Sequence, residues 1–218
     1  MARPRRDSSR PEVRLRIIDA FWELLADHEI SAVTVGEIVK LAECNRGSFY
    51  YHYADVPDLV EAALENELTG DGNIPGRLFI LVTGAGSISE VLPAQGESMR
   101  RLSLAMERGG YELVNERVVA YIEEVWTAVL CDEGESLTAE SRFIITYATG
   151  ALLNVFRRYG DDIESASAVE GMFLAEAGGV AVRNLCSAQG RTIEDVLERL
   201  RAMRGFRRMA PARRPRGK

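Results

Sequence analysis

Apolar residues recur three and four positions apart along most of this 218-residue chain, and no stretch alternates regularly between apolar and polar positions. This spacing favours helices over strands, so we expect an all-α protein. The first helix is marked by an apolar face that comprises Val13, Ile17, Phe21 and Leu24. We expect this helix to end near Asp27.

A short helix is then predicted to begin at Thr34. Thr34 and Glu37 form a T-x-x-E pair, in which each side chain can bond to the backbone N–H of the other residue. Ile38 and Leu41 supply an apolar face, which we expect to point inward. The helix must end before Asn45, because Asn is among the best N-cap residues and begins the next helix.

The helix after Asn45 has the sequence RGSFYYHY. Phe49 and Tyr53 are four residues apart, so we expect both to face inward together with the apolar residues of the preceding helix. Polar and aromatic residues are left on or beside the outer face. These outer residues are Asn45, Arg46, Ser48 and Tyr51, flanked by Tyr50 and His52.

Two short helices joined by a tight turn, the second polar and aromatic outside, are typical of a helix-turn-helix that enters the DNA major groove. The free N–H groups at a helix start favour a phosphate, and Gly47 has no Cβ to keep the backbone away from a duplex. The predicted DNA contacts are Thr34, Asn45, Arg46, Gly47, Ser48, Tyr50, Tyr51 and His52. The alternative is a surface helical hairpin with half-buried aromatic residues.

Residues 13 to 60 resemble the DNA-binding domain of the tetracycline-repressor (TetR) family of bacterial transcription regulators. The segments that carry the resemblance are IIDAFWELLADHEI, VTVGEIVKLAE, NRGSFYYHY and DVPDL. The resemblance implies an N-terminal three-helix helix-turn-helix domain followed by a helical ligand-binding and dimerisation domain. It also implies a homodimer that binds a double-stranded DNA operator, and a repressor that a small-molecule effector releases.

Three residues depart from the family pattern. Glu29 follows the first helix and Glu43 stands in the turn, both at positions where the family frequently has Gly. A non-Gly residue at positive φ costs on the order of 1 kcal/mol, so we expect these turns to be remodelled. Val56 replaces the lysine with which the family contacts a phosphate, so we expect this one backbone contact to be missing.

The segment after Tyr53 predicts a linking helix with Asp55 as its N-cap, followed by a breaker-rich boundary at 69–76. Further helices are predicted near 75–84, 87–107, 111–131, 137–158, 164–188 and 191–204, with a kink or break in the second at Pro93 and Gly96. The domains expected are a basic arm (1–10), the DNA-binding domain (11–54), the linking helix and boundary loop (55–73), the ligand-binding and dimerisation domain (74–204) and a basic tail (205–218).

Small residues are frequent at 147–151 and 175–179, and they allow helices to pack closely. We expect a dimer through the helices near 137–158 and 164–188, with close packing inside one subunit as the alternative. Aromatic and sulfur-containing residues of the central helices are the predicted effector contacts, although a stripe of such residues is often only core. They are Phe79, Met99, Met106, Tyr111, Tyr121, Trp126 and Tyr147.

The net charge of −6 is distributed unevenly. Residues 1–16 carry six Arg against two acids, and residues 191–218 carry nine Arg and one Lys against three acids, whereas residues 17–190 have a net charge of −17. Phosphate would attract the two ends and repel the acidic body, which can orient the protein on DNA. The Arg-rich arm is expected either to contact DNA or to remain a solvated tail.

Other chemistry finds little support in the sequence. The three cysteines are far apart and the two histidines lack partners at a catalytic spacing, so we expect no disulfide, metal site, cofactor or enzyme activity. The apolar runs are shorter than the ~20 residues of a membrane helix, and we expect a cytoplasmic protein without a membrane partner. The rival function is that of a helical protein–protein adaptor that retains a helix-turn-helix shape.

Overall fold

The computed structural model describes residues 10–69, 97–159 and 168–207, and all regular secondary structure in these ranges is helical. The helices are α1 (Arg10–Leu25), a 3-10 turn (Ile30–Ala32), α2 (Val35–Leu41), α3 (Arg46–His52), α4 (Val56–Thr69), α5 (Glu97–Ala105), α6 (Tyr111–Leu130), α7 (Ala139–Tyr159), α8 (Ala168–Ala188) and α9 (Ile193–Arg207). The expectation of an all-α fold is confirmed.

The predicted helices near 111–131 and 137–158 are present as α6 and α7, and those near 164–188 and 191–204 as α8 and α9. α9 continues to Arg207, beyond the residue at which the tail was expected to begin. The helix predicted at 75–84, the kink at 93–96 and the basic arm at 1–9 lie outside the described residues.

The described residues form two compact units. The first unit consists of residues 10–69, 97–118 and 156–159, so it contains α1 to α5 and the beginning of α6. The second unit consists of residues 119–155 and 168–207. The division between them therefore falls inside α6 and again inside α7.

In the first unit, α1, α2, α3 and α4 surround a core of fully buried side chains. Ile17 and Phe21 of α1, Ile38 of α2 and Phe49 of α3 have no exposed surface. The prediction that Leu41 faces inward is wrong, because Leu41 is 38% exposed. The helical turn of α2 places the residue four positions after Ile38, which is Ala42, on the buried side instead.

α5 packs on α1 and α4 within the first unit, and it is followed by a sharp kink at Met106–Gly110. Gly109 has a φ of +84°, which favours glycine. A Cβ on Gly110 would lie 2.5 Å from Cδ1 of Ile30 and 2.7 Å from the carbonyl oxygen of Ala105. The glycine pair therefore allows the kink to pack closely against the 3-10 turn between α1 and α2.

The second unit has a separate apolar cluster contributed by the end of α6, by α7, α8 and α9, and by the loop before α7. Its buried members are Trp126, Val129, Leu130, Leu137, Ile145, Val182, Leu185, Cys186, Val196 and Leu200. These residues lie up to 74 positions apart along the chain, so the cluster forms only when the four helices pack together.

Candidate nucleic-acid interface

The start of α2 is fixed by the capping pair that the sequence predicts. The backbone N–H and the hydroxyl of Thr34 donate to the Glu37 carboxylate at 3.1 and 2.6 Å, and the Glu37 N–H donates to the Thr34 hydroxyl at 3.4 Å. These hydrogen bonds lower the pKa of the Glu37 carboxyl. The exposed Thr34 is thus held at the N-terminus of α2 by a reciprocal cap.

The turn between α2 and α3 is closed by a residue in a left-handed conformation. Glu43 has a φ of +49°, and the N–H of Cys44 donates to the carbonyl oxygen of Val39 at 3.0 Å. This arrangement ends a helix and reverses the chain, and glycine usually supplies it. Glu29, in contrast, has a φ of −68°, so the turn after α1 is remodelled as expected, whereas the turn at Glu43 keeps a positive φ.

α3 presents its outer face because its inner face is anchored in the core. The Asn45 side chain accepts a hydrogen bond from the Ser48 N–H at 2.8 Å and caps the helix. Phe49 and Tyr53 are 0% and 3% exposed, and their ring centroids are 5.8 Å apart. The predicted orientation of α3 is therefore confirmed.

The predicted DNA contacts all reach the surface around α3. Thr34, Asn45, Arg46, Gly47, Tyr50 and Tyr51 are exposed, and Ser48 and His52 are half-buried. Tyr50 is 56% and Tyr51 66% exposed, and the Tyr51 ring lies edge-on to that of His52 with centroids 5.0 Å apart. Such hydrogen-bonding tips on an exposed helix are suited to phosphates and base edges.

Two glycines lie beside the Arg46 side chain and the helix cap. An Arg46 guanidinium nitrogen lies 3.7 Å from the position that a Cβ on Gly36 would occupy, so Arg46 extends alongside the beginning of α2. A Cβ on Gly47 would lie 3.1 Å from the capping oxygen of Asn45. The absence of a side chain at Gly47 therefore leaves the cap undisturbed and the start of α3 open to a large anion.

α4 begins with a second set of capping bonds. The Asp58 N–H donates to the Asp55 carboxylate at 2.9 Å, and the Ala54 N–H donates to the Asp58 carboxylate at 2.7 Å. Asp55 is therefore the N-cap that the sequence predicts. Val56, in the first turn of α4, is half-buried, and it offers no charge where the family has lysine.

Two exposed arginines near α3, Arg14 and Arg16, are not among the DNA contacts predicted from the sequence. Burial raises the pKa of the Tyr53 hydroxyl, and the charge of Arg14 opposes this rise. Burial likewise raises the pKa of the Cys44 thiol, and the charge of Arg16 opposes it. Arg14 and Arg16 lie on the exposed side of α1, so α1 adds two cations next to the helix-turn-helix. The sequence could have indicated both arginines, because they fall outside the apolar positions of α1 and therefore on its exposed side.

The six predicted effector contacts that the structure describes are divided between the two units. Met99, Met106 and Tyr111 belong to the first unit, and Tyr121, Trp126 and Tyr147 to the second, whereas Phe79 lies outside the described residues. Met106 and Trp126 are buried, and Tyr147 is 72% exposed. Neither unit by itself gathers the whole set.

The described ranges contain no group of three or more His, Cys, Asp or Glu side chains arranged to hold a metal ion. Among the helices in these ranges, none is both long enough and apolar enough to cross a membrane.

The comparisons with known proteins concern the region just described. Residues 17–63 match the family model of bacterial regulatory proteins, tetR family, and this range extends from α1 through α2 and α3 into α4. No curated protein and no solved structure matches the chain. The match coincides with the capped helices and the exposed α3 face, so residues 17–63 form a DNA-binding helix-turn-helix segment similar to that of bacterial regulatory proteins of the tetR family.

Proposed function

We propose that the protein is a homodimeric, sequence-specific transcriptional regulator of the cytoplasm, and that it is a repressor that a small-molecule effector releases from its operator. The observation that carries this proposal is the orientation of α3. Tyr50 and Tyr51 are exposed on its outer face, and Phe49 and Tyr53 are buried on its inner face. A rigid inner face and a polar outer face allow one helix to enter a major groove reproducibly.

Within α3, Tyr50 and His52 hydrogen-bond to phosphates, whereas Arg46, Ser48 and Tyr51 lie nearer to base edges. Phosphate contacts position the helix and base contacts give it sequence preference. The experiment selects bound sequences from random duplex DNA and then measures Tyr50→Phe and Arg46→Ala against single-base variants of the selected operator.

Tyr50→Phe is expected to weaken binding to all variants alike, because a phosphate contact does not depend on sequence. Arg46→Ala is expected to relax the preference at one operator position by about 1–3 kcal/mol. The same profile for both variants across the operator library would refute this division of roles. Failure of the wild-type protein to enrich any sequence would refute the proposed regulator.

The cations around α3 supply the attraction to phosphate in place of the missing lysine at Val56. Arg14 and Arg16 of α1, together with the Arg-rich arm before it, provide this charge. Each phosphate neutralised contributes about −0.9 to the slope of log affinity against log salt concentration. Arg14→Gln combined with Arg16→Gln should therefore flatten the slope for a dimer by about two units or more if most of these side chains contact phosphate.

A pair of exposed aromatic residues supports dimerisation through α7. Phe143 and Tyr147 are 71% and 72% exposed, and their rings stack with an interplanar angle of 12°. The opposite side of α7 carries buried Ser141 and Ile145. A second copy of the chain would cover this apolar outer face, as a two-fold contact requires one surface to complement itself.

Gly150 allows this interface to be tested without disturbing the single chain. A Cβ on Gly150 would meet no atom of the described residues within 4 Å. Gly150→Arg should therefore fold but fail to dimerise, which sedimentation would detect as a monomer. Ala202→Arg, at an exposed position of α9, is the matched control and should remain dimeric. A wild-type monomer at micromolar concentration would refute the dimer.

The effector acts by binding better to an arrangement that cannot bind DNA, which moves the population away from the operator. The half-buried residues Met99, Tyr111 and Tyr121 are the members of the predicted set that combine apolar surface with access from solvent. A panel of metabolites added to the protein–operator complex tests this step. A metabolite from the panel is expected to release DNA from the wild-type protein but not from Tyr121→Ala. The operator affinity of Tyr121→Ala without the metabolite should stay unchanged.

A further inference from the structure

Arg101 of α5 bonds to three carboxylates on three different helices. Its Nη1 donates to the Glu67 carboxylate on α4 at 2.8 Å, and its Nη2 donates to the Asp19 carboxylate on α1 at 3.1 Å. Its Nε donates to Glu97 on α5 itself at 3.0 Å. All three guanidinium nitrogens are thus used, and one side chain joins α1, α4 and α5.

The centre of this arrangement is withdrawn from water. The Glu67 side chain is 5% exposed and the Arg101 side chain 19%. The guanidinium group also lies over the ring of Trp22, with its carbon 5.7 Å from the ring centroid. A buried carboxylate is stable only with a partner, so Glu67 requires Arg101 in this place. Arg101 is therefore fixed by three carboxylates and by the aromatic face of Trp22.

Arg101 acts at a distance from the candidate DNA contacts. Glu67 lies in the last turns of α4, roughly 11 residues or about 16 Å along the helix from Val56, which follows α3. Asp19 and Trp22 lie in the second half of α1, beyond Arg14 and its neighbours. Arg101 holds the ends of α1 and α4 that are remote from α3, so it can influence α3 only through the position of these helices.

Further contacts hold the segment from α5 to the beginning of α6 against α1, the turn after it and α4. Arg108 donates to the carbonyl oxygen of Ala26 at the end of α1, and Arg117 of α6 pairs with Glu61 of α4. Gly110 packs against the turn after α1. α4 is thus held by two arginines, Arg101 and Arg117, the second of them on a helix that continues into the second unit.

We propose that Arg101 is a positioning residue for DNA binding, which fixes α1 and α4, and with them α3, on α5. In a dimer this contact fixes each recognition helix relative to α5 of its own subunit, so its loss should widen the range of half-site spacings that the pair accepts. The inference rests on the proposed homodimeric regulator. It predicts that loss of Arg101 leaves each α3 able to bind a half-site and impairs only the simultaneous binding of two half-sites.

The test compares Arg101→Met with Arg100→Met on two duplexes, the full selected operator and a single half-site. Arg100 is the matched control, because it is the neighbouring arginine on α5 and its hydrogen bonds within the described residues reach only Glu97 of the same helix. Arg101→Met is expected to lower affinity for the full operator by about tenfold. Affinity for the half-site should change less than about twofold, and Arg100→Met should leave both affinities unchanged.

The same variants are measured on operators whose half-sites are moved one base pair closer together or further apart. The wild-type protein should reject the altered spacings, and Arg101→Met should discriminate against them less. A defect in folding alone would lower all affinities by one factor and leave this discrimination intact, which would overturn the inference.

A second variant separates positioning from the burial of an unpaired charge. Arg101→Met together with Glu67→Gln removes the carboxylate that would otherwise lose its partner. This double variant should recover the melting temperature but not the discrimination between spacings. Wild-type discrimination in the double variant would overturn the inference. If the wild-type protein binds the full operator no better than the half-site, the proposed dimer fails, and this inference fails with it.

Discussion

The two units differ in how much of their structure local pairs along the chain predict, and the difference explains why only one of them reveals its function in the sequence. In the first unit, the helix starts are fixed by pairs three residues apart, such as Thr34 with Glu37 and Asn45 with Ser48. In the second unit, the core joins residues as distant as Trp126 and Leu200. Local pairs leave a readable pattern, whereas distant packing requires only apolar residues of suitable size.

Each unit nevertheless uses a long polar side chain to join distant segments. Arg101 joins α1, α4 and α5 in the first unit. In the second, the Gln189 side chain accepts from the Thr138 N–H and from the buried Ser141 hydroxyl, both at 3.0 Å, and it donates to the carbonyl oxygen of Ser136 at 3.2 Å. Neither contact has a sequence motif, because the partners lie tens of residues apart.

The largest effect is expected from removing a large core side chain of each unit. Phe49→Ala in the first unit should lower the free energy of unfolding by about 3–5 kcal/mol and Leu130→Ala in the second by about 2–5 kcal/mol. Urea denaturation measures these changes. Leu41→Ala is the control and should lower the free energy of unfolding by about 1 kcal/mol or less. If Leu41→Ala proves as costly as Phe49→Ala, the assignment of Leu41 to the surface is wrong.

The helix caps should matter equally for stability but unequally for DNA binding. Asn45→Ala removes the cap of α3, and Thr192→Ala removes that of α9, where the Asp195 N–H donates to the Thr192 hydroxyl at 3.1 Å. Each should lower the free energy of unfolding by about 1 kcal/mol. Only Asn45→Ala should weaken operator binding, because α3 belongs to the proposed DNA interface and α9 does not. Equal loss of binding in both variants would contradict this contrast.

A glycine at the α2–α3 turn should stabilise the first unit, since the left-handed backbone of Glu43 would no longer crowd a Cβ. Glu43→Gly is expected to raise the free energy of unfolding by about 1 kcal/mol or less. Glu29→Gly is the matched control, as its φ of −68° suits any residue, and it should gain nothing. Thermal unfolding of the two variants side by side decides the matter, and an equal gain would refute the difference in strain.

The smallest effect concerns acid. Hydrogen bonds from Arg191 and Arg199 lower the pKa of Asp132 in the second unit below its ordinary value of 3.8. The Asp132 carboxylate therefore binds a proton less readily in the folded state than in the unfolded chain. The stabilisation from the ionised carboxylate is present above the ordinary pKa, and it is lost as the pH falls through the lower pKa of the folded state. Asp132→Asn should be less stable than the wild-type protein near neutral pH, and the difference should shrink below a pH of about 4.

Urea denaturation at several pH values measures this difference for Asp132→Asn. The exposed Glu133→Gln, in the same loop, is the control and should show no such dependence. A gap between the wild-type protein and Asp132→Asn that stays constant from neutral pH to below about 4 would contradict the assigned cause.

Capping chemistry and helical spacing determined much of the first unit from the sequence alone. Thr34, Asn45 and Asp55 each cap the helix expected of them, and Phe49 and Tyr53 are buried as their spacing predicts. These features depend on residues within a turn or two of each other, so they survive in any context that keeps the helices. The exposed side of α3 follows from them directly.

Tertiary structure alone decided which segments belong together and which exposed positions have no cover. It placed 97–118 with the DNA-binding helices and brought Arg101 to Glu67 and Asp19, and it left Phe143 and Tyr147 exposed on α7. Helical periodicity states that a residue lies on an apolar face but not what that face meets. The partner is chosen by the packing of whole helices, a property of all the contacts together rather than of any short stretch of sequence.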